Sequence, residues 1–312
     1  STIICRMFLP SGFVLVCYDE GLCKLQADTL NVHREKLLLD YLKMQGAGNR
    51  IVVVDSRAHT VSPPDSAALQ RLGNEKTGPG FDQLLWLTEP RDRTCDVAYR
   101  VFNVDGSEVE QCGNGVRCVA AMMARDSGGQ SDFRLESPAG IVLAKVSSPE
   151  RITVSMGSPV FEPADVPFVA ESRADRYLLD VDGEAFDVSV VSMGNPHCVM
   201  QVADVQGADV SRLGPLIEHH ARFPDRTNVG FMAVTGRDSI DLRVHERGVG
   251  ETLACGTGAC AAVVAGQRLG HLDDEVTVSL PGGQLMVSWR GGTETAWFSG
   301  NADFISEGTI DI

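Results

Sequence analysis

Basic residues are scarce in this sequence, and long apolar runs are missing. The 312 residues include 27 Lys plus Arg against 42 Asp plus Glu, a formal net charge of -15. Such an acidic chain repels nucleic acid and anionic membranes, so we expect neither as a partner. The longest apolar stretch, Phe8 to Tyr18, contains Pro10, Ser11 and Gly12 and falls short of the roughly eighteen apolar residues that a spanning helix requires. The sequence therefore predicts a soluble protein.

The cysteines lack the spacing of a metal site or of a disulfide framework. There are nine, an odd number, in a chain too large to need disulfide crosslinks. Cys112, Cys118, Cys255 and Cys260 do not form the Cys-x2-Cys pairs of a zinc site, and no His lies near them at ligand spacing. The first residues also lack the basic segment of a secretory signal. We expect reduced thiols, a cytoplasmic location and no metal.

Residues 1–40 differ in character from the rest of the chain. They contain three cysteines, little clear periodicity and a mixed stretch from Asn31 to Leu39. We interpret them as an N-terminal appendage of unknown role. A short helix packed on the body and a leader without function are the alternatives, and the sequence does not decide between them.

Beyond Leu42, short β-rich runs alternate with Gly, Pro and Asp, which is typical of strands and turns. Two stretches, Gly115 to Asp126 and Gly258 to Leu269, are long enough for three helical turns and carry Ala, Met and Val around most of their circumference. A helix that is apolar on all sides is a buried helix. The predicted strands are residues 51–55, 83–87, 99–102, 141–146 and 151–155.

Two short features suggest sites only weakly. Gly46-Ala-Gly48 lacks the third glycine, the following helix and the acidic residue of a dinucleotide-binding motif. His219-His220 is interpreted as the end of a helix and not as a metal site.

The second half of the chain repeats the first at an offset of 143 residues. Cys112-Gly113 matches Cys255-Gly256, and identities continue on both sides of the cysteines. Upstream the offset drifts to 146 at Gly48-Asn49 and to 150 at Gly80-Phe81. Further identities at 143 are Arg100-Val101 with Arg243-Val244, Glu108 with Glu251, Gly115 with Gly258, Arg125 with Arg268, Pro138 with Pro281, Gly140 with Gly283, Gly157 with Gly300 and Phe161 with Phe304.

Such ordered identities predict an α+β fold of two pseudo-symmetric domains, each a barrel-like β-sheet wrapped around a central buried helix. A pseudo-twofold axis between the copies would make equivalent residues face one another across a cleft. Cys112 and Cys255 are equivalent residues, so the two thiols are predicted to face each other.

The sequence around each of these cysteines suits acid–base chemistry. Cys112-Gly-Asn-Gly115 and Cys255-Gly-Thr-Gly258 each precede a predicted helix, whose N-terminal N–H groups can bind an anion such as an α-carboxylate. We expect the helix dipoles to lower the pKa of both thiols. One thiolate and one thiol on opposite faces of a carbon could invert its configuration. A redox disulfide between them is an alternative.

Cysteine is also a common small core residue, and a buried thiol need carry no function. We assign that interpretation to Cys95, Cys118, Cys198 and Cys260, which lack the paired position and the flanking glycines.

Several longer motifs resemble the diaminopimelate epimerase family. The resemblance extends from Lys43 to the C-terminus. It is carried by residues 43–49, Lys-Met-Gln-Gly-Ala-Gly-Asn; 80–83, Gly-Phe-Asp-Gln; 102–115, Phe-Asn-Val-Asp-Gly-Ser-Glu-Val-Glu-Gln-Cys-Gly-Asn-Gly; 193–197, Met-Gly-Asn-Pro-His; 228–231, Asn-Val-Gly-Phe; and 246–258, Glu-Arg-Gly-Val-Gly-Glu-Thr-Leu-Ala-Cys-Gly-Thr-Gly.

The resemblance implies interconversion of LL- and meso-2,6-diaminopimelate without pyridoxal phosphate or metal, for lysine and peptidoglycan synthesis, by a homodimer in the cytoplasm. It implies catalysis by Cys112 and Cys255, assisted by His197 and Glu246. It also returns the last strand to the first domain, which gives domains at 41–157 plus 301–312 and at 158–300. The implied substrate-binding residues are Asn49, Gln83, Asn103, Gly113, Asn114, Asn195, Asn228, Glu246, Arg247, Gly256 and Thr257.

The chemistry of these side chains agrees with a doubly zwitterionic substrate. Arg247 can bind a distal carboxylate through two parallel hydrogen bonds, and amides such as Asn103, Asn195 and Asn228 offer both a donor and an acceptor. Taken singly, each Asn is more typical of a turn.

The chain also departs from the family pattern. Arg50-Ile51 stands where the family usually has Asp-Phe, residues 74–77 replace a commoner Asn-Arg-His stretch, and Ser306 stands where many members place a dimer-contact Tyr. Proline racemases and hydroxyproline epimerases are the nearest rival families, but their first turn is typically Cys-Gly-His-Gly. A non-catalytic thiol sensor is the rival from another class.

Overall fold

The structure, a computed structural model, describes residues 3–8, 13–18, 23–27, 38–59, 61–109 and 111–311. Contacts divide the chain into a small unit within Ser1–Leu37 and a large unit that spans Leu38–Ile310. Within the described residues, no helix is long and apolar enough to cross a membrane.

The small unit contains three antiparallel strands, β1 (Ile3–Phe8), β2 (Phe13–Tyr18) and β3 (Cys23–Ala27), in that order. The predicted appendage therefore includes a sheet, which its weak periodicity did not indicate. Most of the stretch from Asn31 that suggested a helix lies outside the described residues.

The large unit consists of two successive runs of elements in the same order. The first run is β4 (Leu38–Gly46), β5 (Asn49–Asp55), α1 (Ser66–Gly73), β6 (Gln83–Thr88), β7 (Val97–Asn103), β8 (Glu108–Val109), α2 (Gly113–Asp126), β9 (Asp132–Ser137), β10 (Gly140–Ser148) and β11 (Arg151–Ser155). A 3-10 turn (Pro163–Asp165) and β12 (Tyr177–Val181) follow. The second run is β13 (Glu184–Ser192), β14 (Pro196–Gln201), α3 (Val210–Glu218), β15 (Asn228–Gly236), β16 (Ser239–Glu246), β17 (Gly250–Thr252), α4 (Gly256–Arg268), β18 (Glu275–Leu280), β19 (Gly283–Ser288) and β20 (Trp297–Gly300), and β21 (Asp303–Asp311) ends the chain.

Strand pairing repeats along with element order, which confirms the duplication. β5 pairs with β6 in parallel, as β14 does with β15, and α1 and α3 lie in these two connections. β7 and β9 form a parallel pair, as β16 and β18 do. The two copies are joined where β11 pairs antiparallel with β20. β21 neighbours β4 in the strand order, as β12 neighbours β13. The domain boundaries, 41–157 plus 301–312 and 158–300, stay a prediction.

Strand register corrects one detail of the predicted repeat. Ile51 pairs with Gln83 between β5 and β6, and His197 pairs with Asn228 between β14 and β15. At the offset of 146 residues Ile51 is equivalent to His197, so Gln83 is equivalent to Asn228. The offset of 150 at Gly80-Phe81 is therefore wrong. Gly80 has a positive φ of 68° in the turn before β6, whereas the matched glycine lies inside β15.

Both predicted buried helices are confirmed. Every residue from Gly258 to Gly266 in α4 is buried, and so are seven successive residues from Asn114 in α2. Small side chains allow the strands to approach these helices, and residues of both helices and both sheets form one apolar core. The α+β class, with two similar halves that each wrap a sheet around a buried helix, is confirmed. The predicted core cysteines Cys95, Cys118, Cys198 and Cys260 are all buried.

The two weak motifs also have plain structural roles. Gly46-Ala-Gly48 forms the turn between β4 and β5, in which Ala47 (φ 52°) and Gly48 (φ 79°) are both left-handed, as in a tight hairpin. His219 is the C-terminal cap of α3, as predicted.

The core around α2 gives a test of the packing. Leu135 on β9 is completely buried in the core cluster, so Leu135→Ala should lower the free energy of unfolding by about 2–5 kcal/mol. The matched change Leu178→Ala, at a leucine that is 72% exposed, should change it by less than about 0.5 kcal/mol. Urea unfolding followed by circular dichroism measures both. Equal effects would contradict the burial of Leu135 in this core.

Candidate active site

Cys112 and Cys255 lie at equivalent helix starts, as predicted. Each is the N-cap residue of its helix, with extended backbone: φ is -138° at Cys112 before α2 and -129° at Cys255 before α4. The Gly115 N–H donates to the Cys112 sulfur at 3.3 Å. An N-cap side chain can accept hydrogen bonds from the first turn, as the Cys112 sulfur does, whereas the Cys255 side chain makes no cap hydrogen bond.

One aromatic ring brings the two cysteine turns together. A Cβ atom on Gly113 would lie 2.5 Å from Cζ of Phe298, and one on Gly256 would lie 3.4 Å from the same atom. Glycine is required at Gly113, because a side chain there would displace the ring. Since both turns contact Phe298, and α2 contacts α4, the two helix N-termini converge.

A chain of amides leads to Cys112. Asn49 follows the β4–β5 turn, and its Nδ2 donates to Gln83 Oε1 at 3.3 Å and lies 3.9 Å from the Cys112 sulfur. Gln83 Nε2 donates to Asn103 Oδ1 at 3.0 Å, and Asn103 Nδ2 donates to Ser107 Oγ at 3.0 Å. The strand registers place these side chains in adjacent positions at the ends of β5, β6 and β7.

Cys255 is surrounded by different groups. Its thiol donates to Glu246 Oε2 at 3.2 Å, and the other carboxylate oxygen accepts from Thr252 Oγ1 at 2.5 Å. Thr257 Oγ1 lies 3.4 Å from the Cys255 sulfur and accepts from Asn195 Nδ2 at 3.5 Å. The Cys255 side of the site therefore holds a carboxylate where the Cys112 side holds the amide of Asn103.

His197 belongs to the same hydrogen-bond network and reaches the Cys255 sulfur indirectly, through Asn195 and Thr257. Its Nε2 lies 3.0 Å from Asn195 Oδ1, and Asn195 in turn contacts Thr257. Burial lowers the pKa of His197 to about 3, and the positive charge of Arg247 adds to the decrease. The imidazole is therefore neutral at neutral pH.

Asn228 and Arg247 lie at the same end of the second sheet. Asn228 Nδ2 donates to the Pro196 carbonyl at 2.9 Å, and Asn228 Oδ1 accepts from the Arg247 backbone N–H at 3.0 Å. The Arg247 side chain is exposed and donates to the Asp225 carbonyl at 3.0 Å. Asn228 thus fixes the turn that carries Glu246 and Arg247.

The expected lowering of the thiol pKa values is wrong. Burial raises the pKa of Cys112 to about 11, with a further contribution from Glu246, and outweighs the Gly115 N–H and the Arg117 guanidinium. Burial and Glu246 also raise the pKa of Cys255 well above 9.0. The N–H groups of a helix start lower a thiol pKa only through a few nearby contacts. Removal of water raises it more, because the whole thiolate loses its hydration. Glu246 acts on both thiols, which is consistent with one shared site.

Several contributors were missed by sequence reasoning. Ser107, Thr252 and Phe298 are ordinary core or turn residues by type, and only their contacts connect them with the site. Arg117 could have been noticed, because it is a cation inside an apolar helix. It is fully buried over the Phe298 ring at 5.0 Å, and its Nε donates to the Asn301 carbonyl at 3.0 Å.

The chain belongs to the class of duplicated α+β folds that carry a cysteine at the start of each buried helix. Solved structures with this fold include a hydroxyproline epimerase from Agrobacterium vitis, with a TM-score of 0.64 and 15% identity over 88% of this chain and 93% of that one. A phenazine biosynthesis protein of the PhzF family from Bacillus anthracis has a TM-score of 0.61 and 16% identity over 88% and 100%. At these identities the likeness shows the fold alone.

Sequence similarity gives the family. The diaminopimelate epimerase family model matches residues 41–162 and 189–305. The chain is 48% identical to a diaminopimelate epimerase of Laribacter hongkongensis over 88% of this chain and 99% of the relative. It is 46% identical to one of Pseudomonas entomophila over 88% and 100%. The chain belongs to the diaminopimelate epimerase family.

The two raised thiol pKa values predict how the cysteines react. Glu246 raises both pKa values, so Glu246→Gln should lower them, increase the thiolate fraction and accelerate alkylation by iodoacetamide at pH 8, most strongly at Cys255. Mass spectrometry of each cysteine peptide measures the rates. The exposed control Glu171→Gln should leave both rates unchanged. Slower alkylation of Cys255 in Glu246→Gln would contradict the assigned role of the carboxylate.

Proposed function

We propose that this protein interconverts LL- and meso-2,6-diaminopimelate by moving the α-proton between Cys112 and Cys255. The observation that supports this proposal most is that equivalent cysteines of a duplicated unit are the N-cap residues of two helices that converge on one ring. The names of relatives that are 46–48% identical over almost their whole length support the choice of substrate.

The reaction needs one base and one acid on opposite faces of the α-carbon. A thiolate takes the α-proton, so that an S–H bond forms, the C–H bond breaks and the electron pair is delocalised into the α-carboxylate. The opposite thiol then gives its proton to the other face of the carbon and is left as the thiolate. Protons and electrons balance between the two sulfurs, and the step requires neither pyridoxal phosphate nor a metal.

The α-carboxylate is held, in this proposal, by N–H groups of both helix starts, at Gly113, Asn114, Gly256 and Thr257. These donors stabilise the charge that develops on the carboxylate as the proton leaves. Because the two turns contact one ring, a single carboxylate can be shared between them.

We assign the thiolate of the substrate complex to Cys112 and the thiol to Cys255. Asn49 and Gly115 direct N–H groups at the first sulfur, whereas the second directs its S–H at the Glu246 carboxylate. A thiolate next to a carboxylate is disfavoured by repulsion. The α-ammonium of the bound substrate supplies the positive charge that offsets the cost of a buried thiolate.

The distal end of the substrate is assigned to the amides and to Arg247. The exposed guanidinium can bind a carboxylate through two hydrogen bonds, which orients the substrate. His197, neutral and hydrogen bonded to Asn195, holds that amide in one orientation on the Cys255 side. A substrate with one carboxylate, such as proline, would leave Arg247 unused.

We place the activity in the cytoplasm, where a reducing medium keeps both thiols free, and assign it to lysine and peptidoglycan synthesis.

Loss of either thiol tests the mechanism. Cys112→Ser and Cys255→Ser should each lower kcat for LL-diaminopimelate by about 100-fold or more, because a hydroxyl has a much higher pKa than a thiol and is therefore a weaker acid and hardly ever ionised. In D2O the native enzyme should introduce deuterium at the α-carbon during turnover. The control Cys198→Ala, at a buried thiol outside the site, should keep its activity. NMR spectroscopy measures both the rate of epimerisation and the deuterium content of the α-carbon.

Two results would contradict this proposal. One is turnover of proline or trans-4-hydroxyproline with none of diaminopimelate, which would reassign the substrate. The other is deuterium incorporation that depends on added pyridoxal phosphate.

We also propose a homodimer that uses β21. Phe304 and Ile305 are 52% and 44% exposed there, beside Ser306, and exposed apolar neighbours are typical of an interface. Sedimentation equilibrium should give a dimer for the native chain and a monomer for Phe304→Glu. Leu178→Glu, at an exposed leucine on β12, should stay dimeric. A monomeric native chain would contradict the proposal.

A further inference from the structure

A buried carboxylate lies beneath the turn that carries Glu246 and Arg247. Glu218, the last residue of α3, is 3% exposed. Its Oε2 accepts from His245 Nε2 at 2.8 Å. Its Oε1 accepts from the Gly248 N–H at 2.9 Å and lies 3.4 Å from Arg226 Nη1. Three donors from different parts of the second half therefore converge on one side chain.

The position of this carboxylate is unfavourable by itself. The C-terminal end of a helix carries partial negative charge, which repels a carboxylate in the last turn. Removal from water adds a further cost unless every lone pair is used. Glu218 is therefore stable there only because its partners are in place. A structural core position would be filled more simply by an apolar residue.

Helix α3 also leaves space for the His245 ring. A Cβ atom on Gly214, one turn before Glu218, would lie 2.6 Å from His245 Nδ1, so only glycine leaves room for the ring. His245 is 7% exposed, and in the first half Phe102 occupies the equivalent position. The first half thus packs an apolar ring where the second half builds a hydrogen-bonded pair.

We propose that Glu218 is a positioning residue that fixes the 246–248 turn, and with it the carboxylate at Cys255 and the Arg247 guanidinium. The Arg247 N–H is bound by Asn228 and the Gly248 N–H by Glu218, so the turn is held at two successive peptide groups. This inference rests on the proposed function, because it assigns Arg247 to the distal carboxylate and Glu246 to Cys255.

Glu218 is ionised throughout the neutral range. Burial acts to raise its pKa, but the hydrogen bonds from His245 and Gly248 outweigh burial and hold the pKa below its usual range. The groups that face it are His245 on β16, Gly248 in the turn, Arg226 before β15 and His219 beside it. A group with a lowered pKa contributes above that pKa, and its effect is lost only as the pH falls into the acid range.

Glu218→Gln tests the proposal with little change in volume. The amide nitrogen cannot accept from the Gly248 N–H, nor from His245 with its ring protonated at Nε2, so one of the two contacts fails. We expect KM for LL-diaminopimelate to rise about tenfold, and kcat to fall less, because the contact lies next to Arg247. A second measurement needs no turnover: the alkylation rate of Cys255 relative to Cys112 should rise as Glu246 shifts away from the sulfur.

Matched variants separate positioning from general destabilisation. Glu184→Gln, at a surface carboxylate, should leave KM, kcat and the alkylation ratio unchanged. His245→Phe copies the first half, keeps the Gly248 contact and should give a smaller rise in KM. If Glu218→Gln does not fold, His245→Phe carries the test.

Unchanged KM and an unchanged alkylation ratio in a folded Glu218→Gln protein would overturn the proposal. A loss of kcat with KM unchanged would also overturn the proposal, because a displaced Arg247 is expected to raise KM. If the native chain does not turn over LL-diaminopimelate, the proposed function fails, and the alkylation ratio still decides whether Glu218 positions Glu246.

Discussion

The convergence of two glycine turns on Phe298 is the constraint on which the site depends. The ring is fully buried on β20, whose residues pair with β11 of the first half and with β19 of the second. The strand that joins the two halves therefore also carries the ring against which both helices begin. Because Gly113 leaves no room for a side chain, the first helix start can approach the ring only as glycine. The positions of both thiols follow from this one contact.

The scaffold is symmetric, but the chemistry attached to it is not. Equivalent positions hold Asn103 and Glu246, and the single carboxylate lies against Cys255. Equivalent positions also hold Arg117 and Cys260, so the buried cation lies on the Cys112 side. A fully symmetric site would hold the exchangeable proton equally on both sulfurs. The negative charge of Glu246 lies in the second half and the positive charge of Arg117 in the first half. Together they favour the proton on the Cys255 sulfur and the thiolate at Cys112.

What could be predicted from the sequence was local in origin. Ala, Val and Met on every face identified α2 and α4, and the Cys-Gly-x-Gly turns identified their starts. Features that depend on distant partners could not be predicted in this way. The repeat offset of 150 at Gly80-Phe81 is wrong because a Gly-Phe dipeptide occurs in two conformations, and the pairing of β5 with β6 determines which residues are equivalent. The thiol pKa values depend on burial by both halves, and the partners of Glu218 lie on other elements.

Burial of the thiols changes the kind of base that the site provides. A thiol with a raised pKa is ionised less often, but its thiolate is a stronger base once formed. The α-proton of an amino acid is a very weak acid, so base strength matters more than abundance if the ligand itself promotes ionisation. The pKa of Cys112 is about 11. A substrate ammonium that enters beside this thiol promotes its ionisation, because the positive charge lowers the cost of the buried thiolate. The glycine-lined site then forms its strongest base only when a zwitterion is bound, which limits reaction of the thiolate with other molecules.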